Sequence, residues 1–479
     1  MILRRTQSLC PVCLRRVEAV YQRVGGDCRD VVLRKTCPEH GPFSAPVWRE
    51  GPGLENAPLF ESWSRPKSPS YPAHPGTTVR RGCPFDCGLC RLHAQHTCTG
   101  LVEVTMRCDL SCPVCYAGAG APALPPDPPL AVVAAQLDSL RSASGPCNVQ
   151  ISGGEPTVRE DLPAILRLAR ERGFGLVQLN TNGLRLGREE GYATRLREAG
   201  LDSVYLQWDG VSEAVFETLR GRPCLDLKRR AVERCAAAGL GVVLVATVAR
   251  GVNDREMGDL LRLALALGPA VRGLHFQPVS SFGRYPWPLE NAPRLTLPEI
   301  MAALEHQAPE LVRAAHFHPP GCEHSLCSFS ALYRRVSTQS RPGRAEAGKR
   351  ASAHLEWLPD SNRSCCSPLP PPAAEGARKA KQFVALHWKG AGPRDMGDMG
   401  GAKDEAGAGG DFNRFLAGAG AGQRFTVSGM AFQDALNLDL ERVRGCCIHV
   451  VRPDGRLIPF CLHNLTARDG TRLYGEPWA

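Results

Sequence analysis

Six cysteines stand out by spacing. The stretch RGCPFDCGLC (81–90) and the stretch MRCDLSCPVCY (106–116) both carry Cys-x3-Cys-x2-Cys: Cys83, Cys87 and Cys90, then Cys108, Cys112 and Cys115. Thiolates so spaced converge on metal through a tight turn. Three of them on a four-iron cubane leave one iron without a protein ligand, the open position that catalysis needs. Cys98, in HAQHTCTG, can supply a fourth thiolate to the first set and close it for structure or electron transfer. The alternative leaves Cys98 a bystander and that cluster open as well. The second set directly follows the apolar run LVEVTM (101–106), which places it on a loop at the end of a strand. One strand later comes ISGGEPT (151–157). Gly153 and Gly154 let a ligand lie against backbone, and Glu155 offers a carboxylate to an ammonium. Alone, this stretch reads as a tight strand-to-helix turn; beside the tripod, a binding role prevails.

Cys10-x2-Cys13 and Cys37-x2-His40 form a second kind of pattern, two ligand pairs separated by the short strands AVYQRV and DVVLRK. Such a ribbon holds one Zn²⁺ or Fe in a tetrahedral site, chiefly as a folding staple. The chain has 21 cysteines in all, among 479 residues. The N-terminus lacks the apolar core of a secretory signal, and no run of 18 apolar residues predicts a membrane span. A cytoplasmic chain then uses its cysteines for metal rather than for disulfides. Isolated Cys147, Cys224 and Cys235 read as inert core thiols. The net charge of +10 comes from scattered arginines, with no basic block interleaved with aromatics, so nucleic-acid binding is not indicated. An anionic substrate or surface is compatible with that charge.

These residues must be held by a scaffold. LVEVTM (101–106), CNVQIS (147–152), LVQLNT (176–181), SVYLQW (203–208), VVLVATV (242–248) and RGLHFQ (272–277) read as buried strands. Helix-period segments fall near 130–141, 161–172, 189–199, 227–238 and 254–267. Six βα units predict an α/β fold with a parallel sheet, a partial (βα)6 TIM-like barrel, or else a doubly wound sheet. In either, chemistry belongs at the C-terminal strand ends. The organisation reads as a Cys/His ribbon (1–50), a linker with the first tripod (51–100) and the barrel (101–307). A Cys-containing segment (308–335), a low-complexity, partly disordered insertion (336–424) and a C-terminal Cys-containing extension (425–479) follow. Within the insertion ARKAKQFVALHW predicts a helix, and CCIHVVRPDGRLIPFC predicts a hairpin turning at Asp454-Gly455.

The chain resembles the radical S-adenosylmethionine (SAM) enzymes. The resemblance rests on the second tripod, on Gly153-Gly154-Glu155 and on the six βα units, over about residues 101–307. It implies that the unique iron at Cys108, Cys112 and Cys115 chelates the methionine part of SAM, with the Gly-Gly-Glu strand end holding its amino group. Polar groups at the next two strand ends approach the ribose in this family. The matching positions are Asn180 and Asn182 in NTNG, and Gln207 and Asp209 in QWDG; as turn residues they would only cap strands. Where the family often has an aromatic before the last tripod cysteine this chain has Val114, and Tyr116 just beyond is the residue for adenine packing. Reductive cleavage of SAM to a 5′-deoxyadenosyl radical and attack on an unactivated C–H bond are implied.

The wider succession of CPVC…KTCPEHG, RGCPFDCGLC, PPGCEHSLCSF and CCIHVVRPDGRLIPFC resembles the radical SAM (seleno)protein TrsS subgroup, similar to tetraether lipid synthases and radical SAM pterin methyltransferases. By that resemblance Cys322 and Cys327, with Cys446 or Cys447 and Cys461, supply a second auxiliary cluster, and Cys365-Cys366 is the counterpart of a selenocysteine site. The cofactors implied are [4Fe-4S] clusters (one binding SAM, one or two auxiliary) and SAM. The partners implied are a reductase or a flavodoxin- or ferredoxin-type electron donor, and a small-molecule, lipid or peptide substrate. C–C coupling and methyl or alkyl transfer lead. Peptide or protein maturation and a non-catalytic iron–sulfur electron-transfer or scaffold protein are the alternatives; the last has no need of SGGEP or of six βα units.

Overall fold

The computed structural model describes residues 1–24, 30–50, 53–63, 67–120, 125–337, 353–359, 370–390 and 424–475. Cys365, Cys366 and the Gly/Ala-rich stretch at 391–423 lie outside them.

The chain opens with a four-stranded antiparallel sheet, β1 (Ile2–Leu9), β2 (Arg16–Arg23), β3 (Val31–Cys37) and β4 (Gly41–Trp48). Its strands alternate buried and exposed positions, as Val31, Leu33, Lys35 and Cys37 do in β3, so one face is covered. After the short helix α1 (Phe60–Trp63) the main sheet begins. Its strands are β5 (Thr99–Glu103), β6 (Asn148–Ser152), β7 (Leu176–Thr181), β8 (Ser203–Gln207), β9 (Gly241–Val248) and β10 (Val271–Pro278). All six pair in parallel and in sequence order. The connecting helices are α2 (Leu130–Ser144), α3 (Leu162–Glu171), α4 (Leu184–Arg188), α5 (Tyr192–Glu198), α6 (Glu213–Arg220), α7 (Leu225–Ala237) and α8 (Met257–Ala266). This is the partial barrel that the six βα units require.

The sheet continues beyond those six strands. Past β10 and α9 (Leu297–Gln307) come β11 (Ser328–Ser337), β12 (Ala353–Leu358), α10 (Ala373–His387) and β13 (Arg424–Met430). β13 pairs in parallel with β10, and β11 and β12 then add antiparallel strands. At the other edge, β14 (Ile448–Val451) pairs in parallel with β5 and turns back as β15 (Leu457–Pro459). Eleven strands result, of which eight form one parallel run.

Several elements depart from expectation. The helix expected over 189–199 is the shorter α5, which starts after Gly191 in the left-handed region (φ 71°), and α4 precedes that range. Helix α6 was not foreseen, because its apolar stripe of Val215, Phe216 and Leu219 is one short face of eight residues. Strand β13 begins at the very end of the segment read as low-complexity, and β12 lies inside it; α10 is the helix that ARKAKQFVALHW predicts there.

Each barrel strand presents two faces. Val149, Ile151, Val177, Leu179, Val204 and Leu206 are almost fully buried within the main hydrophobic core. Their neighbours in sequence, among them Gln150, Gln178, Asn180 and Gln207, line the barrel interior.

The N-terminal sheet is fastened to the C-terminal extension through Asp439, which is fully buried. Its carboxylate accepts hydrogen bonds from Arg4 Nη2 (2.7 Å), Thr6 Oγ1 (2.5 Å), Tyr21 OH (2.6 Å) and the Glu441 amide (3.0 Å). Burial alone would raise its pKa; the Arg4 charge and the hydroxyl donors outweigh burial and hold it below the usual carboxylate range. A depressed folded pKa contributes stability that is present above the unfolded value, near about 3.9, and lost as pH falls through the folded one. Asp439→Asn should therefore be less stable than wild type at neutral pH, with the gap narrowing on acidification. Chemical denaturation from about pH 7 to about pH 3 reads this, and a constant gap would count against it.

Candidate active-site cavity and thiolate groups

The barrel surrounds a half-open cavity of about 1710 Å³. At the C-terminal strand ends it is lined by Cys108, Cys112, Cys115, Tyr116, Gly154 and Glu155. At the opposite end it is lined by Cys98, Cys322 and Cys447 and closed by α10, with Gly376, Ala380 and Phe383 facing in. One interior space therefore has a thiol trio at each end.

The upper trio stands on the loop after β5, and that loop is tied down from three sides. The Cys115 amide donates to the Arg284 carbonyl (2.8 Å), and Arg284 Nε donates to the Cys112 carbonyl (2.7 Å). Arg220 Nη1 donates to the Val114 carbonyl (2.9 Å). From below, the Gly154 and Glu155 amides donate to the carbonyls of Thr105 (2.7 Å) and Arg107 (2.8 Å). A Cβ on Gly153 or Gly154 would overlap those same carbonyl oxygens, and Gly153 has φ 132°. The paired glycines thus let the end of β6 lie flush against the thiol loop.

Glu155 is 1% exposed. Its Oε1 accepts from the Thr157 amide and hydroxyl and from Thr181 Oγ1 (2.8 Å); its Oε2 accepts from the Asn182 amide (2.7 Å). Burial raises its pKa against these donors. The carboxylate fastens β6 to β7 and keeps accepting capacity on Oε2. Asn182 is held by its side chain, donating to Asp109 Oδ1 (2.7 Å) and accepting from the Leu184 amide (2.9 Å). Tyr116 OH meets Ser152 Oγ at 3.1 Å, and its ring packs on Phe460 with centroids 5.4 Å apart.

Asn180, Asn182 and Gln207 line the cavity, but Asp209 does not. Its carboxylate accepts from Arg220 Nε (2.6 Å) and Nη2 (2.7 Å), from the Thr247 amide (3.0 Å) and from Gln207 Nε2. The ribose position expected for Asp209 is thus turned into an anchor for Arg220, and Arg220 in turn holds the thiol loop. Sequence reasoning missed Arg220, Arg284 and Lys228. Lys228 is fully buried and donates to the carbonyls of Asn182 (2.7 Å) and Gln207 (2.7 Å) and to Gln207 Oε1 (2.8 Å). Burial pushes its pKa down to about 8. The available signal was a lysine on the apolar stripe of α7, with Ala231, Val232 and Cys235.

The other thiols sort into groups. The ligand atoms of Cys10, Cys13, Cys37 and His40 all lie within 4.8 Å of one another, as one ion requires. His40 Nδ1, 3.5 Å from Cys37 Sγ, pulls that thiol down to about 6. Cys83, Cys87 and Cys90 line a small separate cavity beside His93 and Arg444. Cys98 does not join them. Its sulfur lies with those of Cys322 and Cys447, again within 4.8 Å. The cause is topological: β5 and β14 pair in parallel, so Cys98 and Cys447 precede two neighbouring strands, and the Cys98 amide donates to the Cys447 carbonyl (2.8 Å). The expected set of Cys322, Cys327, Cys446 and Cys461 is likewise divided. Cys322 sits 3.3 Å from Cys447. Cys327, Cys446 and Cys461 are close enough for their charges to reinforce burial in raising the Cys446 pKa.

Comparison with known proteins bears on these features together. Residues 102–264 match the radical SAM superfamily, and residues 2–49 match the HMPTM N-terminal zinc ribbon domain. The chain belongs to the radical SAM superfamily and is an enzyme of that class. More particularly, it is 32% identical over 500 residues to 7,8-dihydro-6-hydroxymethylpterin dimethyltransferase of Methanocaldococcus jannaschii, covering 97% of this chain and 94% of that one. It is 31% identical over 215 residues to the mitochondrial GTP 3′,8-cyclase of Arabidopsis thaliana, covering 44% of this chain and 54% of that one. Among solved structures, the FeFe-hydrogenase maturase HydG of Carboxydothermus hydrogenoformans aligns with a TM-score of 0.36 at 15% identity, over 45% of this chain and 52% of that one. Enzymes of this superfamily use a [4Fe-4S] cluster and SAM, and need an electron donor and a substrate. No helix among the described residues is long and apolar enough to cross a membrane.

Breaking a buried ion pair on one side leaves the other charge stranded, at about 3–5 kcal/mol. Asp209→Asn should lower the unfolding free energy by about that amount and loosen the loop held by Arg220. Denaturant melts, with bound iron after anaerobic reconstitution, check this; a variant matching wild type in both would remove Arg220 from its anchoring role.

Proposed function

We propose that this enzyme uses SAM to functionalise an unactivated C–H bond by methyl or alkyl transfer, and that its substrate is a pterin-type molecule. The observation that carries the reading is the single cavity that holds the second tripod and the Gly-Gly-Glu strand end. Ligand pockets commonly measure ~300–1,000 Å³. At about 1710 Å³ this one has room for SAM and a second molecule together. The pterin part rests on the near full-length similarity to the methanogen dimethyltransferase.

The residues fit the implied groups. Cys108, Cys112 and Cys115 are free thiols opening on the cavity. Among the described residues they are not drawn within the 4.8 Å that marks the single-ion groups. A wider tripod suits a polynuclear cluster with one open iron. Bound there, a [4Fe-4S] cluster and SAM supply one-electron cleavage of the sulfonium and hydrogen abstraction. The chain's own residues bind and position. Glu155 Oε2 takes the ammonium of SAM, with Gly153 and Gly154 giving backbone access. Asn182 and Gln207 face the ribose, with Lys228 fixing both. Tyr116 closes the upper wall.

Cys83, Cys87 and Cys90 hold an auxiliary cluster, and Cys10, Cys13, Cys37 and His40 hold one Zn²⁺ or Fe. Cys98, Cys322 and Cys447 form a further ligand group, with Cys327, Cys446 and Cys461 beside it. A flavodoxin- or ferredoxin-type protein supplies electrons.

The test is anaerobic. Reconstituted protein with excess SAM, dithionite and 7,8-dihydro-6-hydroxymethylpterin should yield 5′-deoxyadenosine, methionine, S-adenosylhomocysteine and a pterin heavier by one or two methyl groups, one SAM giving the radical that removes each hydrogen and a second SAM giving the methyl that replaces it. A Cys108/Cys112/Cys115→Ala variant should yield neither 5′-deoxyadenosine nor a heavier pterin. Absence of 5′-deoxyadenosine from fully iron-loaded, reduced wild type would overturn the reading; 5′-deoxyadenosine with an unaltered pterin would remove the pterin alone.

A further inference from the structure

Closed eight-stranded βα barrels are ordinarily filled by layers of branched apolar side chains. Here the middle of the barrel is polar and open. Gln150 Nε2 donates to Gln178 Oε1 at 2.6 Å, and Gln178 Nε2 donates to Ser203 Oγ at 3.1 Å. Asn180 Nδ2 lies 3.2 Å from Ser152 Oγ and only weakly, at 3.4 Å, from Gln150 Oε1. Asn148, below them on β6, lines the same space. Four carboxamides on two adjacent strands thus form a belt between the upper thiol trio and the lower one.

The belt is not satisfied by itself. Asn148 is 2% exposed and its Nδ2 has no partner; Asn180 Oδ1 is also buried without one. A buried amide left unpaired costs roughly 1–3 kcal/mol. Strand register sets Asn148 four residues below Asn180, so Asn148 asks for an acceptor low in the cavity and Asn180 for a donor beside Gln150 and Gln178. The cavity-lining residues of β6 to β10 include no Asp, Glu, Lys or Arg. His275, the one titratable imidazole on those strands, is pushed down to about 4 by burial and stays neutral. Tyr205, registered opposite Asn180, adds a flat aromatic face. A phosphate or carboxylate would find no counter-charge at this level, and an alkyl chain would strand the amides.

We infer that the upper part of this belt, Gln150, Gln178 and Asn180, is the specificity-determining site for the second substrate, and that it reads the lactam edge of a neutral planar heterocycle. Carboxamides suit that edge because each presents one donor and one acceptor side by side, the pairing that Asn and Gln make with adenine. The inference rests on the cavity holding a substrate beside SAM, as proposed above, but not on that substrate being a pterin.

The experiment is equilibrium binding to the full-length reconstituted protein, under argon with SAM present. The probes are 7,8-dihydro-6-hydroxymethylpterin, guanine and hypoxanthine. The proteins are wild type, Gln150→Leu, Gln178→Leu and Gln178→Glu. SAM binding, measured on each, reports that the variants are folded. At least one lactam should bind wild type and bind each Leu variant about tenfold or more weakly, and Gln178→Glu should weaken it too, because a donor becomes an acceptor. If guanine or hypoxanthine binds this way and the pterin does not, the belt stands and the pterin reading falls. If the pterin binds wild type and all variants alike, the belt is overturned and the pterin reading stands. If no lactam binds SAM-loaded wild type, both are overturned.

Discussion

An unfilled barrel must find its stability outside the barrel. The strands that surround this cavity give up one face to polar side chains and open space, so their other face has to carry the apolar burial. It does so through Val149, Ile151, Val177, Leu179, Val204 and Leu206, packed under α2 to α8. The same constraint explains why the sheet is extended rather than closed. β13, β11 and β12 on one side, and β14 and β15 on the other, add backbone pairing that an open array of six strands would lack. The N-terminal sheet then braces the extension through Asp439.

The reactive end is shaped by backbone as much as by side chains. Two glycines bring β6 against the thiol loop, and the carbonyls of Cys112 and Val114 are gripped by two arginines from elsewhere in the chain. Rigidity at this loop matters to the proposed cluster site, because whatever the three thiols would hold shares the freedom that the loop keeps. The buried Asp209–Arg220 pair serves that end, and a residue of the right type at a strand end is thereby withdrawn from ligand contact.

Most of the scaffold was legible from apolar periodicity. LVQLNT coincides with β7, and the other five strand readings differ from the observed ends by a few residues. The tripod loop and the Gly-Gly-Glu turn were legible because their chemistry is local in sequence. What was not legible depends on contacts between distant segments. Cys98 reads as a neighbour of Cys90, but strand pairing sends it to Cys447. Adjacent Cys446 and Cys447 read as interchangeable, but only Cys447 lies with Cys98 and Cys322, while Cys446 feels the charges of Cys461 and Cys327. Arg220, Arg284 and Lys228 carry no motif, and only the fold shows what their donors reach.

The pairing of β5 with β14 has a consequence in time. The first strand of the barrel gains its second neighbour from a segment about 350 residues later. At a synthesis rate of ~5–20 residues per second, Cys98 leaves the ribosome tens of seconds before Cys447 exists. Through that interval one edge of β5 is uncovered and the lower thiol trio is missing a member. That trio therefore comes together only after Cys447 has been made, whereas the ribbon of Cys10, Cys13, Cys37 and His40 is complete once the first 40 residues have emerged.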